Sequence, residues 1–187
     1  MQQSKLYNLG SILTLLFSSL LINSFAQQES YRTNNGLLKA TTTFNEQALI
    51  LTSNQLIITL DYNTGKFIMK QEISSLESSN DSIQQLLRIQ TNKFITIIGK
   101  LDIDYVITLQ HSPMDFKFEG TVIPGNKQII GSGNLVHMVE GTSAACLLSL
   151  SFTLKQKDLF DYDQDFSINK EINVKILQTL MARENEK

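Results

Sequence analysis

The feature that most constrains this chain is a strict alternation of apolar and polar residues along several short segments. Between residues 114 and 122, apolar side chains alternate with Asp115, Lys117, Glu119 and Thr121. The same period of two recurs over 56–62, 67–73, 148–154 and 171–179. Because side chains of a strand point alternately to its two faces, this period predicts half-buried β-strands.

Turn residues separate these segments at short intervals. Asn63-Thr64-Gly65 follows the first of them, and Gly65 is free to take the positive φ of a tight turn. Further apolar, β-rich segments occupy 93–103, 105–109 and 129–140, and Gly99 inside the first of these favours a bulge or a bend. About eight strands without a βαβ rhythm predict an all-β chain, either an antiparallel sandwich or a barrel.

One segment has the period of a helix instead. Ile83, Leu86 and Leu87 follow Asp81 and Ser82, and either of the latter two is a suitable helix cap. The predicted helix has about two turns, which is too short to be stable alone. We therefore expect it to dock on the sheet.

The first 26 residues have the three parts of a secretory signal peptide. Lys5 supplies the positive charge, an apolar stretch covers 9–22, and Ser24-Phe25-Ala26 places small residues before the cut. The apolar stretch is interrupted by glycine and serine, and it is shorter than a membrane-spanning helix, which needs about 20 apolar residues. We expect cleavage after Ala26, a periplasmic or secreted product, and one domain over residues 27–187.

Charge and cysteine usage exclude several classes of protein. With 16 basic and 18 acidic residues, the chain has a net charge of −2 and no basic patch. We therefore expect no nucleic-acid partner and no polybasic membrane contact. Cys146 is the only cysteine and lies in an apolar run, so no intramolecular disulfide forms and a buried free thiol is expected.

The residues capable of catalysis are scattered. His111 and His137 are far apart, whereas metal sites need more ligands at recognisable spacing. Asp102 and Asp104 share one strand face, which at this spacing is more often solvent-facing than catalytic. The run 141–145 loosely resembles a nucleophile elbow, but that elbow requires an α/β sheet that the pattern does not predict.

The acidic run 161–165 has carboxylates at every second position, as in a calcium loop. Phe166 stands where that loop needs glycine, and Ile172 where it needs a bidentate glutamate. We therefore expect a solvated acidic loop, no metal, no cofactor and no enzymatic activity. A hydrolase or metal enzyme stays an alternative only if a histidine approaches one of the paired aspartates or Ser143.

Three segments resemble the YceI-like family of secreted lipocalin-like barrels, in its shorter form. Segment 56–74, with Asn63-Thr64-Gly65-Lys66-Phe67, looks like the first hairpin of the family. The region up to Gly99-Lys100-Leu101 is similar to its "F-x-G-x-I" strand, with Ile97 where phenylalanine is usual, and 152–179 is similar to its closing strands. The usual "M-x-x-H-F-N-E" and "I-H-G-V-T" stretches are missing.

The resemblance implies a single antiparallel lipocalin-like β-barrel of about eight strands with one short helix. It also implies an elongated apolar cavity for a polyisoprenoid or similar long apolar lipid. No binding residue of the family is carried over, because the lipid contacts come from cavity-lining positions without a polar signature.

The candidate binding surface is therefore the predicted inward face. Its residues are Ile58, Leu60, Phe67, Met69, Phe116, Phe118, Leu150 and Phe152. Such residues form the core of any β protein, and only an unfilled interior makes them a binding site. Two functions stay open: periplasmic binding of a long apolar lipid, or an envelope structural or interaction protein with a packed core. The pattern leaves the oligomeric state open.

Overall fold

The computed structural model describes residues 30–103, 112–140, 143–155 and 171–183. Its strands are β1 (Ser30–Phe44), β2 (Gln47–Asp61), β3 (Lys66–Glu72), β4 (Glu77–Ser78), β5 (Phe94–Leu101), β6 (Met114–Ile123), β7 (Lys127–Glu140), β8 (Ser143–Lys155) and β9 (Glu171–Arg183). A short 3-10 helix (Ile73–Ser75) and the helix α1 (Asp81–Arg88) lie between β3 and β5. In this part of the chain, no helix is long and apolar enough to cross a membrane.

Eight of the described strands form a closed antiparallel barrel. The ring runs β1-β2-β3-β5-β6-β7-β8-β9, and β9 pairs back onto β1. The two-residue β4 adds only a short pairing to β2. Closure removes the open edges that a flat sheet presents. The predicted fold class, an all-β single antiparallel lipocalin-like barrel with one short helix, is confirmed.

The membership of the ring differs from the predicted one. The alternation did not indicate β1, because its pairing with β2 shifts register on both sides of Gly36 and breaks the period of two. Even so, Tyr31 and Ala40 of β1 are buried in the core. The predicted strand 105–109 lies outside the described residues. The number eight is therefore right although one of its members is different.

The predicted hairpin of β2 and β3 is confirmed. Leu60 pairs with Phe67 and Ile58 with Met69, so the inward positions of the two strands face each other. Gly65 has a φ of 66° in the turn, and its N–H donates to the carbonyl of Asp61 at 2.9 Å. Glycine is suited to this conformation, as the turn chemistry predicted.

Gly99 does not produce the predicted bulge. β5 pairs with β3 and with β6 without a register shift. The ring of Phe67 instead lies against Gly99, where a Cβ would stand 2.5 Å from the ring Cζ. The glycine therefore makes room for a side chain within a regular ladder.

Helix α1 begins just after a cap that differs from both predicted ones. Asn80 is the N-cap, and its Oδ1 accepts a hydrogen bond from the backbone N–H of Ile83 at 3.1 Å. Leu87 is buried against Ile73 and Leu76, whereas Leu86, predicted on the same face, is 46% exposed.

The segment that carries α1 docks at one end of the barrel, as expected. It leaves β3 and enters β5 at the same end, and its small apolar cluster is Ile73, Leu76 and Leu87. The partly buried Leu38, Leu51 and Ile95 pack against both this cluster and the main core. We call the barrel end under α1 the capped end. The three partly buried side chains connect its small cluster to the barrel interior.

Candidate functional site: the barrel interior

All the predicted inward residues lie in one buried cluster. They are Ile58, Leu60, Phe67, Met69, Phe116, Phe118, Leu150 and Phe152, and their exposed fractions range from 0 to 6%. A register error of one residue would have turned each set outward, so the predicted orientation of these strands is correct. Their role in binding a ligand stays a prediction.

Three phenylalanine rings cross the middle of the barrel. The ring of Phe118 lies edge-to-face with Phe67 at a centroid distance of 5.3 Å and with Phe152 at 5.9 Å. These geometries are among those that aromatic pairs prefer. Since the three rings come from β3, β6 and β8, they tie together strands that do not pair directly.

Glycines on neighbouring strands make room for the rings. Phe118 pairs with Gly131 and Phe116 with Gly133 across the β6–β7 ladder. If Gly131 had a Cβ atom, that atom would lie 2.4 Å from the Phe118 ring. A Cβ atom at Gly133 would lie 2.6 Å from the Phe116 ring. Sequence reasoning missed these pairs. Their signal is a Phe-x-Phe strand followed by a Gly-x-Gly strand.

The barrel end opposite α1, which we call the tyrosine end, contains two stacked tyrosines. The rings of Tyr31 and Tyr62 lie 3.9 Å apart at an angle of 23°. Cys146 is buried near them, and burial raises the pKa of its thiol to about 11, against a smaller lowering by its hydrogen bond with Tyr62. The expected buried free thiol is confirmed, and its reactive thiolate form is disfavoured.

The capped end contains a buried polar group that the apolar prediction missed. Gln71 is 4% exposed and follows Phe67 and Met69 at inward positions of β3. Its Nε2, which has two protons to donate, lies 3.1 Å from Ser53 Oγ, 2.6 Å from Ser75 Oγ and 2.9 Å from the Glu72 carbonyl oxygen. The signal was a polar residue at an inward position of the alternation.

The residues considered for catalysis are not brought together in the described chain. Asp102 is exposed, and its carboxylate accepts a hydrogen bond from the backbone N–H of Lys117 at 2.9 Å. His137 is half-buried on β7, opposite Cys146. Asp104, His111 and the acidic run 161–165 lie outside the described residues, as do residues 141–142 of the elbow-like run. The absence of enzymatic activity stays a prediction.

Metal ligands are not clustered in the part of the chain that the structure describes. No group of three or more His, Cys, Asp and Glu side chains there is arranged to hold an ion. The interior described above is apolar except for a few hydroxyl and amide groups. Its chemistry therefore suits an uncharged, hydrophobic ligand.

An open groove of about 1050 Å³ lies on the outside of the barrel, across β6 to β9 and β1. Most of the side chains along it belong to the outward faces of their strands, among them Asp115, Lys117, Asn134 and Lys175. This groove is open to solvent, so a long lipid lying in it would stay largely exposed to water. We therefore take the barrel interior, and not this open groove, as the candidate site.

The fold is similar to that of two solved structures. A polyisoprenoid binding domain from Saccharophagus degradans, implicated in plant cell wall breakdown, matches with a TM-score of 0.59 and 9% identity, covering 84% of this chain and 99% of that chain. BcnA of Burkholderia cenocepacia matches with a TM-score of 0.50 and 8% identity, covering 79% of this chain and 96% of that chain. No protein-family model and no curated protein sequence matches the chain. The barrel fold implied by the resemblance to the YceI-like family is therefore confirmed.

Proposed function

We propose that this chain binds a long apolar lipid of the polyisoprenoid class inside its barrel. The observation that carries the proposal is a closed eight-stranded barrel with an apolar interior, in the fold of a domain described as polyisoprenoid-binding. The signal-like residues 1–26 support a periplasmic or secreted location.

The apolar interior matches the energetics of such a ligand. Burying a hydrocarbon contributes about 0.8 kcal/mol per CH₂ group, so a long lipid needs few polar contacts to bind. An eight-stranded barrel is wide enough either to be filled by its own side chains or to hold one small ligand.

Binding requires repacking of the interior. Side chains that line an open chamber keep accessible surface, whereas Ile58, Leu60 and Phe118 are at most 1% exposed. Met69 and Met181 also point into this core, and unbranched methionines adapt readily to a changed neighbour. The lipid would thus replace contacts that the side chains now make with one another.

The same close packing favours a second candidate function. A barrel whose core stays filled is a structural or interaction protein of the envelope, which acts through its outer surface. Under that function the interior side chains only stabilise the fold, and lipids leave the protein unchanged.

Native mass spectrometry of the mature protein, followed by organic extraction, tests the two functions. A near-stoichiometric species of polyisoprenoid mass, or its appearance after incubation with polyprenyl lipids, supports lipid binding. An unchanged ligand-free mass after incubation supports the packed structural protein.

A matched pair of variants locates the bound lipid. Ala40 faces the interior at 7% exposure, whereas Ala48 is exposed on the adjacent strand of the same hairpin. Ala40→Leu adds volume inside and should lower lipid affinity about tenfold, a loss of about 1.4 kcal/mol. Ala48→Leu should leave the affinity unchanged. Equal effects of the two substitutions would place the lipid outside the barrel.

A further inference from the structure

We propose that Gln71 is the headgroup site of the barrel and binds a hydrogen-bond donor, such as a terminal hydroxyl, on the lipid. This inference rests on the proposed lipid binding and names the chemistry of the polar end of the ligand. It is carried by one buried acceptor and by where that acceptor lies.

The orientation of the Gln71 amide is set by its neighbours. Nε2 lies 2.9 Å from the backbone carbonyl of Glu72, which only accepts hydrogen bonds. A flipped amide would place Oε1 against that carbonyl oxygen, where two acceptors repel each other. The nitrogen therefore faces Glu72, and Oε1 faces away from it.

The serines around the amide are already engaged. Ser75 Oγ donates to the Glu72 carbonyl at 2.9 Å and accepts from Gln71 Nε2 at 2.6 Å. Ser53 Oγ accepts from the Gln55 backbone N–H at 3.1 Å and from Gln71 Nε2 at 3.1 Å. Three acceptors therefore face the two protons of the amide nitrogen, so both protons are used.

The amide oxygen of Gln71, unlike its nitrogen, takes no part in this hydrogen-bond network. Oε1 of Gln71 is buried and has no hydrogen-bond partner among the described residues. Most buried polar side-chain atoms have a partner, since an unmet acceptor inside a protein is costly. A ligand donor that reaches Oε1 would recover that cost on binding.

Gln71 lies where a lipid chain in the barrel would end. Next to it on β3, Met69 belongs to the main core, and Ile73 belongs to the small cluster under α1. Ile95, which pairs with Gln71 across the β3–β5 ladder, packs against both clusters. The acceptor therefore lies at the boundary between the apolar barrel interior and its capped end.

An acceptor at the end of an apolar barrel interior selects an uncharged donor. A hydroxyl can donate to Oε1 and remain compatible with apolar walls. A methyl ether of the same chain can only accept, so it leaves Oε1 unmet. Lipids that differ in this one proton are therefore the sharpest probes.

The experiment compares geranylgeraniol with its methyl ether, both titrated against the full mature chain by calorimetry or by quenching of tyrosine fluorescence. The alcohol should bind about tenfold more tightly, the typical value of one buried hydrogen bond. Gln71→Met keeps the length of the side chain without the amide and should reduce this preference to about twofold or less. Gln47→Leu, at an exposed position of β2, is the control and should keep the preference of the unmodified protein.

The outcomes separate the two proposals. Equal affinity for alcohol and ether in the unmodified protein would overturn the headgroup site while leaving lipid binding intact. A preference that persists in Gln71→Met would also overturn the role of Gln71. No binding of either probe would overturn lipid binding, and the headgroup site with it. If Gln71→Met does not fold, the comparison on the unmodified protein still tests whether the hydroxyl of the lipid contributes to binding, since equal affinity for alcohol and ether overturns the headgroup site.

Discussion

The middle of the barrel and its capped end are stabilised in different ways. In the middle, rings such as Phe118 pack over glycines of the neighbouring strand, and the contacts join strands far apart in sequence. At the capped end, α1 packs mainly on the 3-10 helix and β4 that lie just before it in the chain. The middle therefore depends on closure of the whole ring, whereas the capped end depends on a local segment that we expect to open separately.

Phe118→Ala should have the largest effect, because it removes the ring that contacts both Phe67 and Phe152. We expect the free energy of unfolding to fall by about 3–5 kcal/mol, measured by urea denaturation. Ile130→Ala is the control: that side chain lies on β7 and is 71% exposed, so its loss should change stability by less than about 0.5 kcal/mol. Similar losses for both variants would contradict a ring-centred core.

The pH dependence of the free energy of unfolding tests the tyrosine end, where Cys146 is buried. The thiol of Cys146 has a pKa raised from 9.0 to about 11 by burial, so above pH 9 the unfolded chain ionises first. The stability present below pH 9 is therefore lost as the pH rises towards 11, by about 2–3 kcal/mol.

Cys146→Ala isolates this contribution. Urea denaturation of both proteins at about pH 8 and about pH 11 should show a smaller alkaline loss in the variant, because only the unmodified chain has a thiol to ionise. The same loss in both would assign the alkaline effect to other groups and would contradict the contribution of Cys146.

Leu87→Ala probes the capped end. We expect a loss of about 2 kcal/mol, because Leu87 is 8% exposed in a small cluster that can partly collapse. Amide hydrogen exchange should accelerate in α1 while β6 to β8 keep their protection. Leu86→Ala is the control, since that side chain is 46% exposed. Faster exchange throughout the barrel would show that the two regions are one cooperative unit.

The smallest effect is expected at the helix cap. Asn80→Ala removes the side-chain acceptor for the N–H of Ile83 and should cost about 1 kcal/mol. Ser79→Ala, at the exposed neighbouring position, should be close to neutral. Thermal unfolding of the two variants, followed by circular dichroism, measures the difference. An equal change in both would mean that the cap does not stabilise α1.

Much of the barrel could be predicted where the alternation is regular. In β6, Phe116 and Phe118 were assigned inward because charged residues separate them, and both are buried. The alternation does not indicate β1, because the register shifts around Gly36 disrupt the period of two. The pattern also predicts a bulge or a bend at Gly99, because a glycine that admits a ring from another strand looks the same in sequence as one that interrupts a strand.

The candidate site was predicted only in part. The apolar lining follows from the inward positions, but Gln71 was treated as one more member of the alternation. Gln71 becomes a candidate headgroup site because the fold places Ser53 and Ser75 beside its amide nitrogen and not beside its amide oxygen. No spacing in the sequence indicates that one atom of a side chain is left without a partner.

The sequence by itself determined the strands with regular alternation, the inward set, the short helix and the all-β class. These follow from local rules, since the faces of a strand and the turn residues between strands are properties of neighbouring residues. Only the tertiary structure decided that the sheet closes through β1 and β9, that glycines admit the rings, and that the buried Gln71 oxygen has no partner among the described residues. Closure depends on the register between the first and last strands. The positions of the rings and of Gln71 depend on side-chain contacts between strands and turns, which no local pattern specifies.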